Sequence, residues 1–177
     1  MPKWKMPVQV RRIRSAEGRL LREVRLAALA DSPLAFESTF DEECNRPDEA
    51  WQTDAAARSE GFASANFIAE GKAGVVGLVG AYRSDEEPGT VELVSMWVAP
   101  HARGQGLGGL LVERVVEWAA AARATRVALW VTRGNDPAIA IYTRTGFGTT
   151  AASKAHVSHP CHEELRMARE LVGVPGG

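Results

Sequence analysis

The chain has 177 residues, the length of one ordinary domain, and 45% hydrophobic with 24% charged residues is the composition of a globular protein with a packed core. Lys and Arg number 21 against 22 Asp and Glu, a net charge of −1. That balance supplies no global field to hold a nucleic-acid backbone or an anionic membrane, and neither is expected as a partner.

Cys44 and Cys161 are too few for a disulfide framework and read as free thiols. No apolar run approaches the roughly 20 residues of a membrane-spanning helix, and no apolar h-region with a cleavage site follows Met1. These features together predict a cytoplasmic protein. A single domain is expected over 1–177, with its core at about 8–171 and a frayed tail at 172–177.

In chain order, Val8 to Ile13 reads as a short strand. A helix follows, capped by Ser15, carrying Leu20, Leu21, Val24, Ala27 and Ala28 at helical spacing and ended by Ser32-Pro33. Phe36 to Asn45 reads as an irregular acidic link, and Pro47 to about Arg58 as a second helix entered through Asp48 and Glu49. Ala65 to Glu70, Gly74 to Tyr82 and Thr90 to Val98 are strand-like runs with short connections, which predicts an antiparallel meander.

After a glycine-rich turn, Leu107, Leu110, Leu111, Val115, Trp118, Ala119 and Ala122 mark one face of a long amphipathic helix. Arg126 to Val131 is a β-prone run, Asp136-Pro137 opens a shorter helix that Gly146 ends, and Gly148 to Val157 with Glu163 to Leu171 form a closing pair of strands.

The turn Arg103-Gly104-Gln105-Gly106-Leu107-Gly108-Gly109 lies between a strand and the long helix, where unpaired N–H groups and the helix dipole favour an anion. Glycines at 104, 106 and 108 remove the Cβ atoms that would keep a bulky pyrophosphate from the amides. The same letters match G-x-G-x-x-G, the dinucleotide fingerprint. Yet a meander lies upstream, the acidic residue about 20 positions on is missing, and Arg133 near the end of the next strand suits a 2′-phosphate. An NADP-dependent oxidoreductase is therefore one alternative.

At these residues the sequence resembles the GCN5-related N-acetyltransferases, the GNAT family. Arg103-Gly104-Gln105-Gly106-Leu107-Gly108, preceded by Val98-Ala99-Pro100, satisfies the family's motif A. Asn135-Asp136-Pro137-Ala138, Tyr142 and Gly146-Phe147 satisfy its second motif. The resemblance implies an α/β fold: a mixed, mostly antiparallel twisted sheet, flanked by helices on both faces and splayed at the cofactor site between the third long strand and the one beginning near Arg126.

It also implies acetyl-CoA as co-substrate, with pyrophosphate on the amides from Arg103 through Gly104, Gln105, Gly106, Leu107 and Gly108 to Gly109. Pantetheine would lie on the strand backbone at Met96, Trp97 and Val98, and Asn135 and Tyr142 beside the cofactor. The acceptor would be an amine of a small molecule, or a protein N-terminus or lysine; family members often form homodimers. A non-catalytic acyl-CoA sensor or scaffold is the other alternative.

Acetyl transfer needs a neutral amine, a polarised thioester carbonyl and a proton for the departing thiolate. Tyr142 matches the family's general acid, and a phenol of ordinary pKa near 10 suits a thiolate of comparable basicity. A backbone N–H near Val98 would polarise the carbonyl. Glu92 stands eleven residues before Arg103, the spacing at which histone-acetylating members carry a glutamate base. Strand alternation predicts Glu92, Val94, Met96 and Val98 on one mostly apolar face that would raise its pKa. Trp130 stands where some N-terminal-amine acetylating members have a glutamate.

Phe36 and Glu92 are the acceptor-site candidates, and Asp41, Glu42, Glu43, Asp48 and Glu49 form an acidic flank able to attract a cationic amine. Arg11, Arg12 and Arg14 read as surface charge, and Trp97, Trp118 and Trp130 as packing residues. His156, His159, Cys161 and His162 share one Pro160-containing loop, an arrangement unlike paired zinc ligands, so no metal is expected.

Overall fold

In the computed structural model, which describes residues 7–171, seven strands form one sheet in the order β1-β2-β3-β4-β5-β7-β6. The strands are β1 Gln9–Arg12, β2 Ser64–Gly71, β3 Gly74–Arg83, β4 Thr90–Val98, β5 Arg126–Thr132, β6 Gly148–Ala155 and β7 Glu163–Glu170. Every neighbouring pair is antiparallel except β4 and β5, which run parallel. That pairing covers only Thr90–Glu92 against Arg126–Ala128, so beyond Glu92 the two strands part and leave a gap in the middle of the sheet. The expected splayed, mostly antiparallel sheet is thus found, and it is not a dinucleotide-binding sheet of successive parallel βα units. The tail expected at 172–177 lies outside the described residues.

The helices are α1 Gly18–Asp31, α2 Phe40–Cys44, α3 Asp48–Ser59, α4 Leu107–Ala121 and α5 Asp136–Arg144. A Cβ on Gly77 of β3 would lie 2.9 Å from Leu111 Cδ1, so this face of the sheet packs on α4. Residues of opposite parity, with Leu78 and Gly80, look toward α1 and α3. Buried Val79, Leu111 and Val115 fill the first side, and Leu21, Trp51 and Leu78 the second.

Several local expectations are corrected. Ser15 does not cap α1: its carbonyl accepts from the Gln52 amide, and the N-cap is Glu17, whose carboxylate is gripped by Arg11. Gly18 follows because a Cβ there would lie 2.6 Å from the Gln52 Cα, so only glycine lets α1 approach α3 this closely. The link at Phe36 to Asn45 is not wholly irregular, since Thr39 and Glu42 form a reciprocal capping box that nucleates α2. α5 is capped by Asn135, one residue before the expected Asp136, with its side-chain oxygen accepting from the Ala138 N–H.

Arg11 and Arg12 are structural rather than free surface charge. Arg11 bridges Glu17 and Glu70, and Arg12 donates to the carbonyls of Arg58, Glu60, Gly61 and Ser64. Together they tie β1 to α1, to the neighbouring strand β2 and to the exit of α3. Among the described residues no helix is long and apolar enough to cross a membrane.

Candidate active site

β4 is irregular where the sheet opens. Leu78 pairs with Trp97 but Gly80 pairs with Val94, so three steps along β4 match two along β3, and the extra residue is accommodated at Ser95, whose φ is +56°. Such a bulge reverses the alternation of the strand. Glu92, Val94 and Trp97 therefore share the α1/α3 face, while Leu93 and Val98 share the α4 face. The expected common face of Glu92, Val94, Met96 and Val98 does not exist. The bulge also leaves the edge of β4 from Val94 to Val98 unpaired toward β5.

The glycine turn closes one end of this gap. Gly104 and Gly106 have φ of +73° and +83°, and no atom lies within 4 Å of a Cβ built on either. Gly106 is the left-handed N-cap of α4, so open space lies over amides at the positive end of a 15-residue helix. Such a cradle fits a pyrophosphate. Gly108 has a different role from the one expected: a Cβ there would come 2.8 Å from Ile141 Cδ1 and 3.3 Å from Met96 Cε, so it lets α4 pack on α5 and β4. Leu107 is buried core, and Gly109 is half-buried and close to Thr145.

Arg103 donates from Nε to the Val98 carbonyl at 2.9 Å and pairs with Asp31, and Gln105 donates weakly to the His101 carbonyl at 3.4 Å. Both side chains therefore brace the turn. Trp97 is buried, and its indole N–H donates to Asp31, which links the end of α1 to the same turn.

Tyr142 lies on α5, 5% exposed, its ring 5.9 Å from that of Phe147. Burial pushes its phenol up from the usual value near 10, so it is protonated throughout the neutral range. Asn135 is half-buried and occupied in capping the same helix.

Glu92 is not in apolar surroundings. Both its oxygens accept from Arg166 of β7, at 2.6 and 2.7 Å, with the two side chains only 9% and 5% exposed. Arg166 also donates to Glu87 and lies 5.0 Å from the Trp130 ring, over which Lys154 is placed too. A solvent-facing strand glutamate is equally excluded.

On the α1/α3 face of β2–β4 is a cavity of about 240 Å³. It reaches Ser95 at the bulge and is walled by α1, α2 and α3, the region flanking the expected acceptor link. Phe36 is buried and sits under the Arg25 guanidinium at 4.5 Å, supporting this wall from behind. Arg25 in turn donates to Ser95 at 2.6 Å and to Ser38 at 2.9 Å. Of the expected acidic flank, Asp41, Glu42, Asp48 and Glu49 are exposed and Glu43 alone is buried. Glu43 is pushed up by burial, yet hydrogen bonds from Arg46 and Ser38 and the charge of Arg25 outweigh this and hold it below the usual carboxylate range. Asp48 lies 3.9 Å from Arg22.

His156 is buried, and its Nδ1 accepts from the N–H groups of Ser158 and His159, so it organises the β6–β7 loop. Cys161 is exposed and Cys44 half-buried. Among the described residues no three His, Cys, Asp or Glu side chains gather into a group able to hold a metal.

A sheet opened at one parallel pair, beside a glycine-cradled helix start and a buried tyrosine, defines a GNAT-type fold. The sequence model of the acetyltransferase (GNAT) family matches residues 26–147, and the chain belongs to that family. Among solved structures it resembles a GNAT-family acetyltransferase from Streptococcus pneumoniae, with TM-score 0.76 and 18% identity over 94% of this chain and 100% of that one. It also resembles yncA from Salmonella typhimurium, solved with its cofactor acetyl-CoA, with TM-score 0.76 and 19% identity over 96% of both chains. The ribosomal-protein-alanine N-acetyltransferase from Brucella melitensis gives TM-score 0.71 and 20% identity over 92% and 99%. Comparison with curated proteins finds no match.

Proposed function

We propose that the protein is an N-acetyltransferase that moves the acetyl group of acetyl-CoA to a primary amine by direct attack. The observation carrying this reading is the open cradle over Gly104 and Gly106 at the start of α4, next to the unpaired edge of β4. Bound there, acetyl-CoA supplies the activated thioester. The amides from Gly104 to Gly109 would hold its pyrophosphate, and the free edge at Met96 to Val98 would hold pantetheine and offer an N–H to the carbonyl. Tyr142 gives its phenolic proton to the sulfur as the carbon–sulfur bond breaks. The amine proton passes to solvent.

Glu92 has the geometry of a structural anion. Both its oxygens are engaged by a buried guanidinium, which leaves neither turned to an incoming amine. Its role in this reading is to fix Arg166.

The test is thermal unfolding with nucleotides. Acetyl-CoA at a hundredfold excess over its dissociation constant is expected to add about 2.7 kcal/mol, roughly 5–11 °C for a domain of this size, and NADPH nothing. A shift with NADPH and none with acetyl-CoA would return the dinucleotide reading. Binding without CoA release in the presence of any amine would favour the sensor.

Gly106→Val separates cradle from scaffold. An L-residue at φ +83° costs about 1–2 kcal/mol, which the fold survives, while the branched side chain fills the space over the amides. Titration is expected to find acetyl-CoA binding lost in a folded variant; unchanged affinity would move the anion site elsewhere.

A further inference from the structure

Resting on the acetyltransferase reading, we propose that the acceptor is a small amino acid, bound by its carboxylate in the cavity under α1 and α3 with its amine directed to Ser95 at the β4 bulge.

Size is the first argument. About 240 Å³ lies below the roughly 300–1,000 Å³ of sites for drug-sized ligands, and suits a molecule of amino-acid dimensions. Charge is the second. Arg25, Arg46 and Arg58 line the cavity, and the carboxylates paired with them are Glu43 and Asp54 alone. Arg46 is spent on both, at 2.9 and 2.8 Å, and Arg25 on Ser95, Ser38 and Glu43. Arg58 makes a single longer approach, 3.4 Å to an Asp54 oxygen already held by Arg46. One positive charge is left over in a half-enclosed space.

The rest of the wall includes an indole and an amide. Trp51 lines the same cavity, is 2% exposed, and its buried indole N–H has no partner among the described residues. That N–H is closed off from water, so Trp51 serves the cavity as an aromatic wall, its ring lying under the Arg46 guanidinium at 4.4 Å. Asn66, 5% exposed, adds an amide to the same wall. The surplus guanidinium calls for an anionic acceptor atom, which one carboxylate supplies. Glu43, the only carboxylate of the lining, is already neutralised, so the cavity offers little to a second cationic group at that end.

The experiment compares matched acceptors on the full chain with acetyl-CoA: the L-amino acids, their α-amides and the corresponding decarboxylated amines. CoA release is recorded together with the indole N–H resonances, that of Trp51 being identified by its loss in Trp51→Phe. At least one acid is expected to exceed its amide by about 100-fold or more in kcat/KM, as for sites built around a polar group that the analogue lacks. Acids and not amides are expected to shift the Trp51 resonance. Arg58→Gln, at a half-exposed position, is expected to raise KM for the acid about tenfold and KM for the amide by much less.

Amides or decarboxylated amines turned over as well as the acids would overturn the carboxylate proposal while leaving acetyl transfer intact. Acids that shift Trp51 without CoA release would keep the anion site and remove the transfer reading. No Trp51 shift with any acid removes the proposal.

Discussion

Arg166→Met is expected to lower the melting temperature by roughly 6–20 °C. Removing one member of a buried ion pair leaves an uncompensated charge and costs about 3–5 kcal/mol, and each kcal/mol moves a domain of this size by about 2–4 °C. The pair qualifies because both side chains are more than nine-tenths buried and both carboxylate oxygens of Glu92 are used. Replacing both partners, as in Arg166→Met with Glu92→Leu, is expected to recover most of the loss, since a well-packed apolar pair is often no worse than the ion pair. Glu92→Gln is milder, because Glu87 and the Trp130 ring still engage Arg166. In that folded variant kcat is expected to fall less than tenfold, with the shape of its pH profile unchanged. A large loss that rising pH rescues would restore Glu92 as the base, and Arg166→Met melting within about 2 °C of wild type would show the pair to be solvated.

The glycine turn was legible because its function is local. Three glycines at alternate positions after a strand have few uses, and two of them do stand open at positive φ. Gly108 belongs to the same pattern for another reason, the closeness of Ile141 and Met96, which no spacing within the turn reveals. The capping box of Thr39 and Glu42 was also written in the chain, three residues apart, but the surrounding acidic run read as a link. What sequence could not disclose is the company of each charge. Glu92 and Arg166 are separated by 74 positions, and Arg25 meets Ser95 across 70. The bulge at Ser95 has no compositional mark at all, yet it decides which β4 side chains face the cavity. Alternation is a sound rule until one extra residue is inserted. The expected apolar surroundings of Glu92 follow from it, whereas its expected role as base follows from its spacing to Arg103.

Tyr142→Phe is expected to cut turnover by about 10² while leaving acetyl-CoA affinity nearly unchanged. The ring stays and keeps its packing on Phe147; only the proton donor goes. General acid catalysis contributes typically 10²–10⁴, and the lower end applies because a thiolate leaves tolerably well unaided. The same substitution has a signature in stability. Burial raises the phenol of the folded protein above its unfolded value near 10, so the folded state holds this proton more tightly. Its contribution is therefore full below pH 10 and is lost as pH climbs beyond that value. Wild type is expected to lose stability more steeply than Tyr142→Phe above pH 10, and to match its pH dependence below. The raised phenol also means that Tyr142 supplies no alkaline limb to the rate profile near pH 10. Full turnover by Tyr142→Phe with chemistry rate-limiting would make the tyrosine a packing residue, and a second proton donor would then have to reach the sulfur.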